Sequence, residues 1–133
     1  MKAPYEELRK NDVVITTYGT VASEMNRLEL YMKSETSGPK DGTTVSRRFP
    51  LLGPLSLWYR VIVDEAQCIK NAKTKNAKSV HQLKSEYRWC LTGTPLMNNV
   101  SELASLLTFL KIEPYCAADR FKRVCMKTLT LFR

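Results

Sequence analysis

The run Trp58-Tyr59-Arg60-Val61-Ile62-Val63 ends directly in Asp64-Glu65, and this junction constrains the fold more than any other feature of the 133 residues. Such a run reads as a strand, and where it is short, β-branched and unalternating, as at residues 13–18, as a strand buried on both faces in a parallel sheet. Two further runs share the pattern. Val13-Val14-Ile15-Thr16-Thr17-Tyr18 stops at Gly19, and Tyr87-Arg88-Trp89-Cys90-Leu91 stops at Thr92-Gly93-Thr94-Pro95. Helical spacings lie between and after them. Val21, Met25, Leu28 and Met32 mark one helix face. Thr74 is placed to cap a second helix running to about Lys84, with Ala77, Val80 and Leu83 inward. Asn99 and Glu102 have capping spacing before a third, whose stripe is Leu103, Leu106, Leu107 and Leu110 and whose stop is Pro114. Strand and helix alternate, which predicts an α/β layer: a parallel sheet flanked by helices. Ligands of such sheets sit beyond the carboxyl ends of the strands. Polar clusters stand at all three ends: Thr16-Thr17, Asp64-Glu65 and Thr92-Gly93-Thr94.

Residues 33–57 break the pattern. Ser34, Thr36, Ser37, Gly38, Pro39, Asp41, Gly42, Thr43 and Thr44 make a polar, breaker-rich stretch that reads as an exposed, flexible insertion, ordered only in part. The net charge is +8, and the basic excess falls in two blocks. The first holds Lys70, Lys73, Lys75, Lys78, Lys84 and Arg88; the second holds Arg120, Lys122, Arg123, Lys127 and Arg133. Such blocks attract phosphate backbones without reading sequence, although a solvated lysine face has the same composition. No apolar run reaches the roughly 18–20 residues of a membrane span, and Met1–Glu7 has no apolar leader core. A soluble intracellular chain with no membrane partner is expected. Cys68, Cys90, Cys116 and Cys125 form no C-x-x-C pair and His81 is the sole histidine, so reduced thiols and no structural zinc are expected.

Adjacent carboxylates at the end of an apolar strand suit phosphate hydrolysis. One can hold Mg²⁺ through water, while the other positions or deprotonates the attacking water. Blander readings exist for each feature. An Asp-Glu pair also starts helices, Thr16 and Thr17 are ordinary β-formers, and Thr92-Gly93-Thr94-Pro95 is a plausible plain turn. His81 reads as a helix-surface residue, and Trp58 and Trp89 as packing residues rather than base-stacking platforms.

The segment Val61-Ile62-Val63-Asp64-Glu65-Ala66-Gln67-Cys68-Ile69-Lys70-Asn71 resembles motif II of the Swi/Snf-type helicase-like ATPases. Leu91-Thr92-Gly93-Thr94-Pro95-Leu96-Met97-Asn98-Asn99 resembles their motif III, and Asp12–Tyr18 is similar to their DNA-contacting strand. Ser101–Leu107 is similar to the helix after motif III. The match spans roughly residues 11–123 in the family's order. The insertion and the Asp-Glu-Ala-Gln spelling look most like the DNA-repair subgroup whose members also carry a RING finger. The resemblance implies an incomplete N-terminal helicase lobe over 1–123, a partial RecA-like sheet, with 124–133 as a tail of uncertain assignment. It implies MgATP as cofactor, with Asp64 binding Mg²⁺ and Glu65 activating water. Gln67, where many relatives have His, would contribute to the nucleotide site and bridge to motif III. Thr92, Gly93 and Thr94 would couple nucleotide state to DNA grip. Thr16, Thr17, Lys70 and Asn71 would contact duplex DNA, and the location would be nuclear.

One family element has no counterpart. The phosphate loop reads G-x-x-x-x-G-K-[ST], and no Gly-Lys-Ser/Thr occurs in the chain. The second lobe is likewise unmatched. The expectation is therefore a fragment of a DNA-dependent ATPase that is inactive alone and needs the missing lobe segments as partners. The alternative is a non-catalytic DNA- or protein-binding module derived from that lobe.

Overall fold

Two strands carry the architecture. β1 (Leu57–Val63) and β2 (Lys84–Cys90) pair in parallel, with Leu57 opposite Lys84, Arg60 opposite Tyr87 and Val63 opposite Cys90. The structure is a computed structural model and describes residues 5–35, 38–95, 101–121 and 123–124. Parallel neighbours require a crossover, supplied here by a 3₁₀ turn (Ala66–Ile69) and helix α4 (Lys75–Gln82). Before β1 come α1 (Tyr5–Leu8), α2 (Tyr18–Lys33) and α3 (Gly42–Arg48); after β2 come α5 (Ser101–Leu110) and α6 (Ala118–Phe121). The expected α/β class holds, with a two-stranded parallel sheet among the described residues.

The α4 expectations hold closely. The Thr74 hydroxyl accepts the Ala77 N–H at 3.2 Å, and Ala77, Val80 and Leu83 are buried. The helix stops at Gln82, short of Lys84, because Lys84 already enters the ladder of β2. The core joins these residues to Val21 and Met25 of α2, Val63, Ala66 and Ile69 around the strand end, and Leu106 and Phe109 of α5. Burial of each large side chain in this set is worth about 1.5–3 kcal/mol. The α5 stripe is correct but incomplete: Leu103, Leu107 and Leu110 are half-buried, while Phe109 is among the most buried residues. The helix ends at Leu110, before Pro114, with Lys111 left-handed at φ 55°. The expected Asn99 cap lies outside the described residues.

Four expectations are corrected. Residues 13–17 form no strand, and Val13 and Ile15 are 74% and 92% exposed. A strand buried on both faces needs ladder neighbours, and no described strand lies beside this one. Thr17 keeps extended geometry and then caps α2 by accepting the Thr20 N–H. On α2 itself, Met32 is exposed and Tyr31 takes the inward place, because the helix turns from the main core to a second, smaller one.

The second core corrects the reading of 33–57. Asp41 is a helix cap, its Oδ1 accepting the N–H groups of Thr43 and Thr44 at 3.0 Å each. The Thr44 side chain first, and then these backbone bonds, hold its carboxyl below the usual carboxylate range. Val45 and Phe49 then face Tyr31, and Leu51 and Leu52 reach the main core. Glu24 on α2 is 1% exposed, and its Oε1 accepts from the N–H groups of Leu51 (2.7 Å) and Leu52 (3.0 Å). The polar residues of this stretch thus cap a helix that packs, and residues 45–53 are largely buried rather than exposed.

The last correction is His81. It is half-buried, with its ring 6.2 Å from Phe109 and its Nε2 without a hydrogen-bond partner among the described residues. Trp58 does pack as expected, edge-on to Tyr5, with its indole N–H donated to the Leu51 carbonyl. Trp89 is half-exposed, under the Arg60 guanidinium at 4.4 Å. No helix among the described residues is long and apolar enough to cross a membrane.

Candidate functional site

The strand ends are laced together beyond the ladder. Leu91 N–H donates to the Val63 carbonyl at 2.8 Å, and Ala66 N–H donates to the Leu91 carbonyl at 2.9 Å. The chain therefore leaves both strands at one level, and Asp64-Glu65 faces Thr92 across the gap. Asp64 Oδ1 accepts the Glu65 N–H at 2.9 Å. Glu65 is left-handed at φ 49°, ψ 51°. That conformation costs a side-chain-bearing residue roughly 1–2 kcal/mol and recurs at functional sites.

From Glu65 an unbroken hydrogen-bonded chain crosses to the other strand. Gln67 Nε2 donates to Glu65 Oε2 at 2.5 Å, and Gln67 Oε1 accepts the Thr92 hydroxyl at 2.7 Å. Thr92 Oγ1 accepts the Thr94 N–H at 3.1 Å. An amide, being donor and acceptor at once, satisfies a carboxylate on one side and a hydroxyl on the other. Asp64 and Glu65 are exposed, whereas Gln67 and Thr92 are half-buried. The carboxylates face solvent and their positioning partners do not.

Tyr18 brings the first cluster to the same place. Its hydroxyl donates to the Asp64 carbonyl at 2.5 Å, across 46 positions of sequence. Burial, followed by the nearby Cys68, Cys90, Asp64 and Glu65, pushes this phenol up to about 12, so it remains a donor. Thr16 and Thr17 precede it at the start of α2 and are exposed. In the sequence Tyr18 reads only as the end of a strand; nothing local marks it as a positioning residue. Cys90 lies close by, and burial pushes its thiol up to about 11, which leaves it unreactive.

The other expected residues sit at the margin. Lys70 directs its ammonium at Glu102 of α5 (3.3 Å), and Ser105 donates to the Ile69 carbonyl, so the 3₁₀ turn is fastened to α5 from two sides. Asn71 Oδ1 accepts the Lys73 N–H in a side-chain turn. A side chain at Gly93 would meet open space, and its φ is not left-handed, so this conformation does not itself demand glycine. Residues 96–99 of the motif III match lie outside the described residues, as do residue 100, Lys122 and residues 125–133.

Asp64 and Glu65 form a hard-oxygen pair, and among the described residues no group of three or more His, Cys, Asp and Glu side chains comes together. Such a pair fits Mg²⁺, which keeps most of its waters and takes one or two carboxylates, rather than a metal that needs an all-protein cage.

The chain is 42% identical over 118 residues to an ATP-dependent helicase of Schizosaccharomyces pombe, covering 89% of this chain and 11% of that protein. It is 41% identical over 108 residues to the DNA repair protein RAD5A of Arabidopsis thaliana, covering 81% of this chain and 9% of the relative. It therefore spans about a tenth of the length of these relatives. The SWI2/SNF2 ATPase core of Sulfolobus solfataricus, solved in complex with dsDNA, superposes with a TM-score of 0.57 at 32% identity, over 86% of this chain and 19% of that one. The model of the SNF2-related domain matches residues 2–130, a span that includes both strand ends and the bridge between them. By sequence over nearly its whole length and by fold, this chain belongs to the SNF2-related domain family.

Proposed function

We propose that this chain supplies the metal- and water-handling part of a DNA-dependent ATPase lobe, of the type that moves on duplex DNA in repair or chromatin remodelling. The observation that carries this reading is the continuous path Glu65–Gln67–Thr92–Thr94 beside the exposed Asp64. In it, Asp64 would hold Mg²⁺ through water, with Oδ1 accepting the Glu65 N–H. Bound Mg²⁺ supplies charge neutralisation at phosphate oxygens. Glu65 orients and deprotonates the attacking water, and its left-handed backbone and the Gln67 amide fix its carboxylate. Gln67 and Thr92 make the position of Glu65 dependent on the Thr92-Gly93-Thr94 segment, the arrangement needed to couple hydrolysis to DNA grip. Thr16 and Thr17 at the start of α2 and Asn71 offer hydroxyl and amide groups to backbone phosphates. Lys70, engaged with Glu102, contributes through its field. The relatives named for DNA repair support duplex DNA as the partner and a nuclear location.

A second reading, a non-catalytic DNA- or protein-binding module, is favoured by one observation: no Gly-Lys-Ser/Thr occurs in the chain to grip the β- and γ-phosphates.

The test combines metal binding with turnover. Mn²⁺ titrated into the isotope-labelled chain should broaden the resonances of residues 64–67 first, and Asp64→Asn should abolish this. Broadening that begins elsewhere overturns the metal assignment. Phosphate release from MgATP with duplex DNA is expected at background. Turnover lost in Glu65→Gln would show instead that the chain hydrolyses ATP unaided.

A further inference from the structure

The peptide group between Asp64 and Glu65 is held at both of its polar atoms. Its N–H donates to Asp64 Oδ1 at 2.9 Å, and its carbonyl accepts the Tyr18 hydroxyl at 2.5 Å. The preceding carbonyl, of Val63, accepts the Leu91 N–H instead, so the two carbonyls serve different elements. Both polar atoms of the Asp64–Glu65 peptide lie in one resonance-locked plane. Turning the carbonyl off Tyr18 therefore turns the N–H off Asp64 Oδ1. It also disturbs the left-handed backbone of Glu65, from which the bond to Gln67 starts. Tyr18 is placed to hold this plane still. It is the first residue of α2, its ring packs against the main core, and Glu24 pins the same helix to Leu51 and Leu52. Thr17, just before it, accepts the Thr20 N–H at 3.1 Å, and Thr16 and Thr17 are exposed.

We propose that Tyr18 is a positioning residue: its hydroxyl sets the Asp64–Glu65 peptide plane, and with it the Asp64 carboxylate, and carries a displacement of Thr16-Thr17 by a DNA backbone to that carboxylate. This rests on the reading of Asp64 as the Mg²⁺ residue and of Thr16 and Thr17 as DNA contacts. The route is distinct from the Gln67 bridge. The bridge reaches Glu65 from the segment after β2, whereas Tyr18 reaches Asp64 from α2. Only the hydroxyl serves, because a phenylalanine ring fills the same space and offers no donor. Coupling through it is reciprocal: whatever DNA does to metal affinity, metal does to DNA affinity. Tyr31 makes the same kind of bond in the second core, its hydroxyl donating to the Pro39 carbonyl at 2.7 Å, and so provides a control.

The test is NMR on the full isotope-labelled chain, comparing wild type, Tyr18→Phe and Tyr31→Phe, with circular dichroism as the check of folding. Mn²⁺ is titrated first, without DNA. Broadening of residues 64–67 should need about two- to tenfold more Mn²⁺ in Tyr18→Phe, the scale of one hydrogen bond, and no more than wild type in Tyr31→Phe. A short duplex is then added without metal. Amide shifts at residues 16–18 should appear in all three chains, and shifts at residues 65–67 in wild type and Tyr31→Phe alone. An unchanged Mn²⁺ response in Tyr18→Phe, or shifts at 65–67 that survive it, overturns the proposal and leaves the metal and DNA assignments standing. An equal loss in Tyr31→Phe also overturns it, by assigning the effect to general loosening. In the wild-type chain, no response of residues 64–67 to Mn²⁺, or of residues 16–18 to the duplex, overturns those assignments and the proposal with them. A last measurement needs no variant. The Tyr18 ¹³Cζ resonance of the wild-type chain, which reports its hydroxyl bond, should move on adding Mg²⁺ and on adding duplex, and a resonance unmoved by both overturns the proposal.

Discussion

Gln67 bonds to both strand ends at once, donating to Glu65 at 2.5 Å and accepting from Thr92 at 2.7 Å. Neither bond is local in effect: together they tie the turn after β1 to the segment after β2. The two side chains should therefore be energetically coupled. In a double-mutant cycle of Gln67→Ala and Thr92→Val by urea denaturation, the coupling is expected at about 0.5–1.5 kcal/mol. Strictly additive losses would show that the bridge is not a stability element.

Glu65 holds a backbone conformation that its side chain disfavours. Glu65→Gly and Glu65→Asn are therefore expected to leave the chain as stable or more stable, by up to about 1 kcal/mol, even though the bond to Gln67 is lost. Thermal melts decide this. A clear fall in melting temperature for Glu65→Gly would place the lost hydrogen bond above the strain.

Glu24 is the buried pin between α2 and the segment after α3, with the backbone N–H groups of Leu51 and Leu52 on one oxygen. Glu24→Ala leaves both donors without an acceptor and is expected to cost about 2–4 kcal/mol. Glu24→Gln keeps an oxygen in place and should cost roughly half that. Equal losses from the two variants would assign the effect to packing.

Gly53 sits where α3 turns back toward β1. A Cβ there would lie 2.4 Å from Ser46 Cα and 2.7 Å from the Phe49 carbonyl oxygen, both backbone atoms that cannot swing aside. Gly53→Ala is expected to destabilise by about 1–3 kcal/mol, as overpacking does. Gly93→Ala, which meets open space, should change stability little. Denaturation of the pair gives the contrast directly.

Two half-buried groups make stability depend on pH. Burial, and then the charge of Arg88, holds His81 below the ordinary imidazole value of 6.5. The folded state thus resists its protonation, and stability is full above pH 6.5 and falls as pH drops through the lowered value. His81→Gln should flatten that slope. Tyr18 is displaced the other way, from 10.0 to about 12. Its contribution is full below pH 10 and is lost as pH rises toward 12, and Tyr18→Phe should remove that alkaline dependence. Melting temperature against pH measures both.

The legible parts were those where local chemistry and burial agree. Thr74, Ala77, Val80 and Leu83 specify a capped amphipathic helix, and α4 is that helix. Asp64-Glu65 and Thr92 mark strand ends, and the structure brings them together. The misreadings share one cause. Residues 13–17 have strand composition, but a strand exists only through partners. Residues 41–44 have loop composition, yet Asp41 at the start and Val45 and Phe49 behind it make a helix that buries one face.

The sequence alone determined the two paired strands, the helices α2, α4 and α5, the order of the motifs and the chemistry available at the strand ends, because capping, periodicity and side-chain functional groups are properties of neighbours along the chain. Tertiary structure decided the rest: that Tyr18 reaches Asp64 and that Gln67 spans to Thr92. Those relations depend on the direction in which packed elements carry their side chains through space. Separations of 46 and 25 positions leave no local trace of it.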